Sequence, residues 1–188
     1  MIKTIFLFLL FSTSVFAAQK IVLKDGEVSF LAIGKPSFLK VNGKGTAAQG
    51  ELNLKETQAS GIVTFDLQTL TTGIALRDQH MKEKYLNTPQ YPVSSLKLSN
   101  LALSKDLLTK EKSSSKINFK GDLTLNGVTK SISGDMDISK DGNLYQVQSH
   151  FKLQLSDFNI QVPKYMGITI ADEVSVDVTS KSELINIK

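Results

Sequence analysis

The sequence predicts an all-β protein, a single eight-stranded antiparallel barrel with one short helix at its rim. Three observations carry this. Apolar and polar residues alternate through seven or more runs, the period of strands with one wet face. Asn-Gly and Asp-Gly pairs separate several runs, and these favour the positive φ of tight hairpin turns. One interruption, between Gly73 and Pro92, carries good helix formers instead. About eight strands joined by short turns protect their edges by closing into a barrel. A flat sandwich is the alternative, which alternation alone does not exclude.

The chain opens with an export signal. Lys3 gives a positive start, Ile5 to Phe11 is an apolar stretch too short to span a bilayer, and Val15 and Ala17 stand three and one residues before a cut between Ala17 and Ala18. Residues 1–17 are therefore expected to leave a barrel domain at 18–188, in the periplasm or secreted. No later run is long and apolar enough for a stable membrane span. The absence of cysteine removes disulfides, thiolate metal sites, Cys nucleophiles and a lipoprotein anchor together. The formal net charge is +4, with Arg77 the single arginine and no basic run, so no nucleic-acid footprint is present.

The strands follow in order. Val28-Ser29-Phe30 and Leu52-Asn53-Leu54 alternate, as do Val63 to Leu67 and Leu96-Lys97-Leu98. The regular run Ile117 to Leu125 places apolar residues at odd positions and ends at Asn126-Gly127. Val147, Ser149, Phe151, Leu153 and Leu155 make one face, with His150 on the polar side; Val174, Val176 and Val178 make the last. Lys24-Asp25-Gly26, Asn42-Gly43 and Asp141-Gly142 read as turns, and the polar stretch Lys105 to Ser115 as a long exposed hairpin tip. In the interruption, Ile74, Met81 and Tyr85 are spaced by seven and four, which gives an apolar stripe on a helix within Ala75 to Leu86.

Catalytic machinery is thinly supported. His80 and His150 are the only histidines, too few for a zinc site of the usual three protein ligands. No nucleophile elbow exists for Ser94 or Ser95 to occupy. Asp172 and Glu173 are neighbours on a strand and point to opposite faces. Catalytic residues, metals and cofactors are therefore none. Arg77 and Asp78 read first as an ion pair that pins the helix to the barrel rim, and second as a head-group contact. The phenylalanines Phe30, Phe65, Phe119 and Phe151 fall on alternating apolar faces. In a filled barrel they are core; in a hollow one they line a cavity suited to an alkyl or isoprenoid chain.

Thr72-Gly73, Arg77-Asp78, His80-Met81 and Tyr91-Pro92 together resemble the central signature of the YceI-like family of exported lipid- or polyisoprenoid-binding proteins. Gly121 to Lys130 is similar to its second signature, and Ser156-Asp157-Phe158-Asn159-Ile160 to its third. Asp172-Glu173-Val174 resembles its closing strand. Asn159 stands where the family usually has Gly, and Leu155-Ser156 where an Arg is common. The N-terminal third matches only loosely, through Phe30 and Gly34.

The resemblance implies a lipocalin-like barrel, a tunnel for one long-chain amphiphile and no known catalysis. The ligand would be an isoprenoid, quinone-like or fatty-chain lipid. Expected cavity residues are Phe30, Leu54, Phe65, Leu67, Leu98, Phe119, Leu123, Phe151, Leu153 and Val176, and expected rim or head-group residues are Arg77, Asp78, His80, Met81 and Tyr85. Homodimerisation stays open. The rival readings are a hydrolase or isomerase using Arg77, Asp78 and His80 at the mouth, and a filled-barrel interaction protein of the envelope.

Overall fold

The computed structural model describes residues 18–165 and 168–187; the expected signal peptide lies outside them. Nine strands form one antiparallel sheet: β1 (Ala18–Lys35), β2 (Lys40–Lys55), β3 (Gln58–Asp66), β4 (Val93–Ala102), β5 (Lys112–Leu125), β6 (Val128–Asp141), β7 (Leu144–Gln154), β8 (Lys164–Tyr165) and β9 (Ile168–Ile187). Strands β1 to β7 pair in sequence, β7 pairs with β9, and β9 returns to β1. Eight long strands thus close the barrel, and the two-residue β8 is an addition at the start of β9. The closing seam is long, from Ala18 opposite Ile187 to Lys35 opposite Thr169.

Strict alternation decides which side of each strand faces in. In β5, Phe119, Gly121, Leu123 and Leu125 are buried while Lys120 and Asp122 are exposed. Strands of alternating direction also sort the connections by end. One end gathers 36–39, 67–92, 126–127 and 155–163; the other gathers 56–57, 103–111 and 142–143.

The interruption before Pro92 forms helix α1 (Ala75–Gln79), which continues as a wider π-type turn over His80–Tyr85. A second short helix, α2 (Lys105–Thr109), lies at the opposite end. It corrects the expectation of an exposed hairpin tip there. Strands β4 and β5 pair only from Ser95–Leu98 to Gly121–Thr124, so the wall parts below that point. Helix α2 fills the gap. Ser104 caps it, its Oγ accepting the Leu107 N–H at 3.2 Å, and Leu107 drops inward to 1% exposure beside Leu103.

The turns divide into those that reverse the chain and those that do not. Asn126 (φ 50°) and Gly127 (φ 73°) make the two-residue turn from β5 to β6. The β6–β7 reversal uses Gly142-Asn143, one residue past the expected pair. Lys24-Asp25-Gly26 and Asn42-Gly43 are not reversals: the first is a bulge inside β1 and the second lies within β2. Glycine is required at 43 for space, since a Cβ there would come within 2.3 Å of the Phe30 ring. The β1–β2 connection is Pro36 to Leu39 instead.

Replacing Leu107 by Ala tests the plug. A truncated buried leucine costs about 2–5 kcal/mol, whereas an exposed tip would shift stability by less than about 0.5 kcal/mol. Urea unfolding distinguishes the two, and the larger loss is expected.

Candidate functional site

The barrel is hollow. A cavity of about 620 Å³ runs along its axis, within the ordinary range for ligand pockets of roughly 300–1,000 Å³. Of the residues expected on its wall, Phe30, Phe65, Leu67, Leu98, Leu123, Phe151, Leu153 and Val176 do line it. Leu54 and Phe119 do not. Leu54 sits one residue from the end of β2, buried in the packed core near the β2–β3 turn. Phe119 is spent on the wall itself. Its ring meets Phe151 edge-on at 6.2 Å, and it lies over Gly134, where a Cβ would come within 2.8 Å of it.

The mouth is the end that carries α1. Arg77, His80, Met81 and Tyr85 line the cavity there, joined by Ile74 and Leu76, which are also exposed to solvent. An apolar path therefore continues from the outer surface to the interior. At the opposite end Leu103 and Leu107 close the floor.

What holds α1 in place is not an Arg77–Asp78 ion pair. No such pair forms among the described residues; the two side chains grip the same neighbour. The Asp78 carboxylate accepts from the Thr71 hydroxyl at 2.6 Å, from the Thr72 N–H at 2.7 Å and from the Thr72 hydroxyl. Arg77 donates through Nε to Thr72 Oγ1 at 2.8 Å and through Nη2 to the Thr72 carbonyl at 3.1 Å. Thr71 in turn exchanges backbone hydrogen bonds with Lys44 of β2, at 2.9 and 2.8 Å. Adjacent helix residues of opposite charge point apart, so a shared threonine joins them more readily than direct contact. Partial burial pushes the Asp78 carboxyl upward, but the Thr71 and Thr72 donors outweigh it, with Lys82 adding attraction, and the net displacement is below the ordinary aspartate value.

The signature segments meet at this same end. Tyr91 packs over Gly127 so closely that a Cβ there would come within 2.6 Å of its ring. The Asn126 side-chain amide donates to the Phe158 carbonyl at 3.1 Å. Phe158 is 1% exposed, and Asn159 after it adopts the left-handed conformation, φ 56°, in place of a glycine. Of the remaining polar candidates, His150, Asp172 and Glu173 lie outside the cavity. His150 is exposed on β7, with Nδ1 at 2.8 Å from Asp177. Asp172 accepts from Ser156, while Glu173 meets Lys152 at 2.7 Å. Ser94 lines the cavity, but its hydroxyl donates to the Thr124 carbonyl at 3.0 Å.

Sequence reasoning missed Ser180, Ser182 and Tyr145 on the cavity wall. The signal was present for the two serines, because they continue the inward register of Val174, Val176 and Val178. The same signal was present for Tyr145, which extends the face of Val147, Ser149 and Phe151 on β7.

Fold and site together define a hollow antiparallel β-barrel with a helix at its mouth. The chain belongs to the YceI-like family, whose YceI-like domain matches residues 20–181. Protein YceI of Escherichia coli O157:H7 is 30% identical over 106 residues, which are 53% of this chain and 51% of that protein. The chain thus spans about half the length of the curated relatives it matches. A polyisoprenoid binding domain from Saccharophagus degradans, implicated in plant cell wall breakdown, shares the fold with a TM-score of 0.68 at 16% identity, covering 87% of this chain and 97% of that one. Burkholderia cenocepacia BcnA follows with 0.65 at 18% identity, covering 83% and 95%.

The Asp78 bonds carry a pH signature. A carboxylate whose folded pKa is depressed stabilises the fold fully above the unfolded value of about 3.9 and loses that contribution as pH falls through the folded pKa. Asp78→Asn is expected to lower stability at neutral pH, with the gap from the natural protein closing as the medium is acidified below about 3.9. Unfolding midpoints measured across that range read the effect; a gap independent of pH would remove the carboxylate from the account.

Proposed function

We propose that the mature protein is a carrier that holds one long-chain amphiphile, an isoprenoid or a similar lipid, inside the barrel, and that it performs no catalysis. The observation that carries this is the cavity: an elongated interior of about 620 Å³ walled mainly by Leu, Val, Ile, Phe and Met. Such a wall rewards an apolar chain by removing its surface from water and offers little to a compact polar molecule. Family membership supports the reading, as does the fold shared with a polyisoprenoid binding domain.

The rival enzyme reading has less to work with. A catalytic pair needs a base aligned on a nucleophile, yet the Asp78 carboxylate is occupied by Thr71 and Thr72, and Arg77 spends two of its donors on Thr72. His80 is exposed at the mouth and does not complete a triad with them. Arg77 and Asp78 act here as anchors that hold α1 over the opening, with Met81 and Tyr85 as the surface the ligand passes.

The same proposal places the protein in the periplasm, or outside the cell, after removal of residues 1–17. Mass spectrometry of the exported protein is expected to find Ala18 first; an intact Met1 contradicts the assignment.

Native mass spectrometry with lipid extraction tests the carrier directly. One chain-bearing lipid per barrel is expected to co-purify. Arg77→Ala is expected to lower the thermal midpoint and weaken retention of head-grouped and plain chains alike. Loss confined to head-grouped lipids, at unchanged stability, would make Arg77 a recognition residue. A barrel that retains no apolar chain would sink the carrier reading.

A further inference from the structure

The wall of the cavity changes character at its closed end. Strand β9 runs from the mouth toward the floor, and its inward residues are Val174, Val176 and Val178, then Ser180 and Ser182. Both serines line the cavity, at 8% and 1% exposure. Neither hydroxyl finds a hydrogen-bond partner among the described residues. A buried hydroxyl without a partner is costly, and valine, used at three earlier positions of the same face, would avoid the cost.

Small residues pack closely around Ser180. A Cβ on Gly26 would lie only 3.4 Å from that of Ser180 and 2.8 Å from that of Ala48, so the neighbouring strands offer their smallest residues here. The bulge of β1 at Asp25, φ 51°, brings Gly26 to this position. Tyr145 stands directly opposite Ser182 across the β7–β9 ladder. Its hydroxyl already donates to the Leu107 carbonyl at 3.3 Å, and burial raises its pKa, so it remains a phenol.

We propose that Ser180 and Ser182 form a polar subsite at the closed end of the cavity, which takes a neutral hydrogen-bonding terminus of the ligand, such as an alcohol. This deepens the carrier reading and rests on it. The terminus is neutral because the cavity's cationic candidates, Arg77 and His80, are both at the mouth, and a charge at the floor would be desolvated without a partner. A serine hydroxyl both donates and accepts, which suits a hydroxyl terminus in either sense. The apolar chain then extends from the floor toward α1, so the ligand lies with this polar end inward.

Displacement of a fluorescent fatty probe by oleyl alcohol and by 1-octadecene, a hydrocarbon of matching chain length, tests the subsite. The natural protein is expected to prefer the alcohol by about tenfold or more, the scale of one buried hydrogen bond. The double substitution Ser180→Ala with Ser182→Ala is expected to abolish the preference while hydrocarbon binding persists; each single substitution gives an intermediate ratio. An unchanged preference in the double variant overturns the subsite and leaves the carrier standing. Failure of the natural protein to bind either chain overturns both. The ligand-free double variant is expected to melt no lower than the natural protein, because it loses only unpaired hydroxyls. A clear fall would show that the hydroxyls are already bonded within the fold, and would also overturn the subsite.

Discussion

Everything in this molecule depends on the seam between β1 and β9. Without it the sheet would present two long edges, each a row of unpaired N–H and C=O groups open to other chains. With it, every long strand has two neighbours, and one face of each strand is enclosed. Eight strands also set the bore: wide enough to leave room for a ligand, narrow enough that side chains from opposite walls decide how much of it stays open. The cavity is therefore a consequence of closure, and its chemistry follows from which alternating residues point inward.

Closure has local costs that the small residues absorb. Gly43 lets the Phe30 ring lie across β2, Gly134 lets the Phe119 ring approach closely, and Gly127 admits Tyr91. These glycines serve close approach more than turning. They also determine which aromatic rings reach the cavity and which become wall, as the contrast between Phe151 and Phe119 shows. The two ends are finished differently. At one, α2 inserts Leu107 where β4 and β5 separate. At the other, α1 is fastened by a relay from Lys44 through Thr71 and Thr72 to Asp78 and Arg77, and the way in stays open. A carrier of the kind proposed needs this asymmetry, with a floor that excludes water and a mouth that admits a chain.

The strands, the Asn126-Gly127 turn and the rim helix were legible in the sequence, because each depends on neighbours in the chain: period two, positive φ, helix formers between Gly73 and Pro92. So was the identity of the inward face in β5, β7 and β9. The three signatures were legible as segments, but not as partners. Only the folded chain brings Tyr91 onto Gly127 and Asn126 to Phe158.

What the sequence determined by itself was the alternation, and with it an all-β chain with one apolar face per strand. What only the tertiary structure decided was everything that depends on distance across the barrel. Asp25-Gly26 and Asn42-Gly43 look like turns locally, yet the long β1–β2 ladder, with β9 on the other side of β1, carries the chain through both, as a bulge at the first and as regular strand at the second. Leu107 looks exposed among charges until β4 and β5 part above it. Leu54 and Phe119 look like cavity wall until packing at the floor and against Gly134 claims them. Ser180 and Ser182 continue the inward register of β9, but only the closed barrel shows that their hydroxyls end without a partner among the described residues. The physical reason is the same in each case. Local propensity selects a backbone conformation worth a fraction of a kilocalorie per residue, about 1 kcal/mol at most across the strand scale. Ring closure fixes which surfaces lose water, and the free energy of that burial is greater, so it decides each side chain's role.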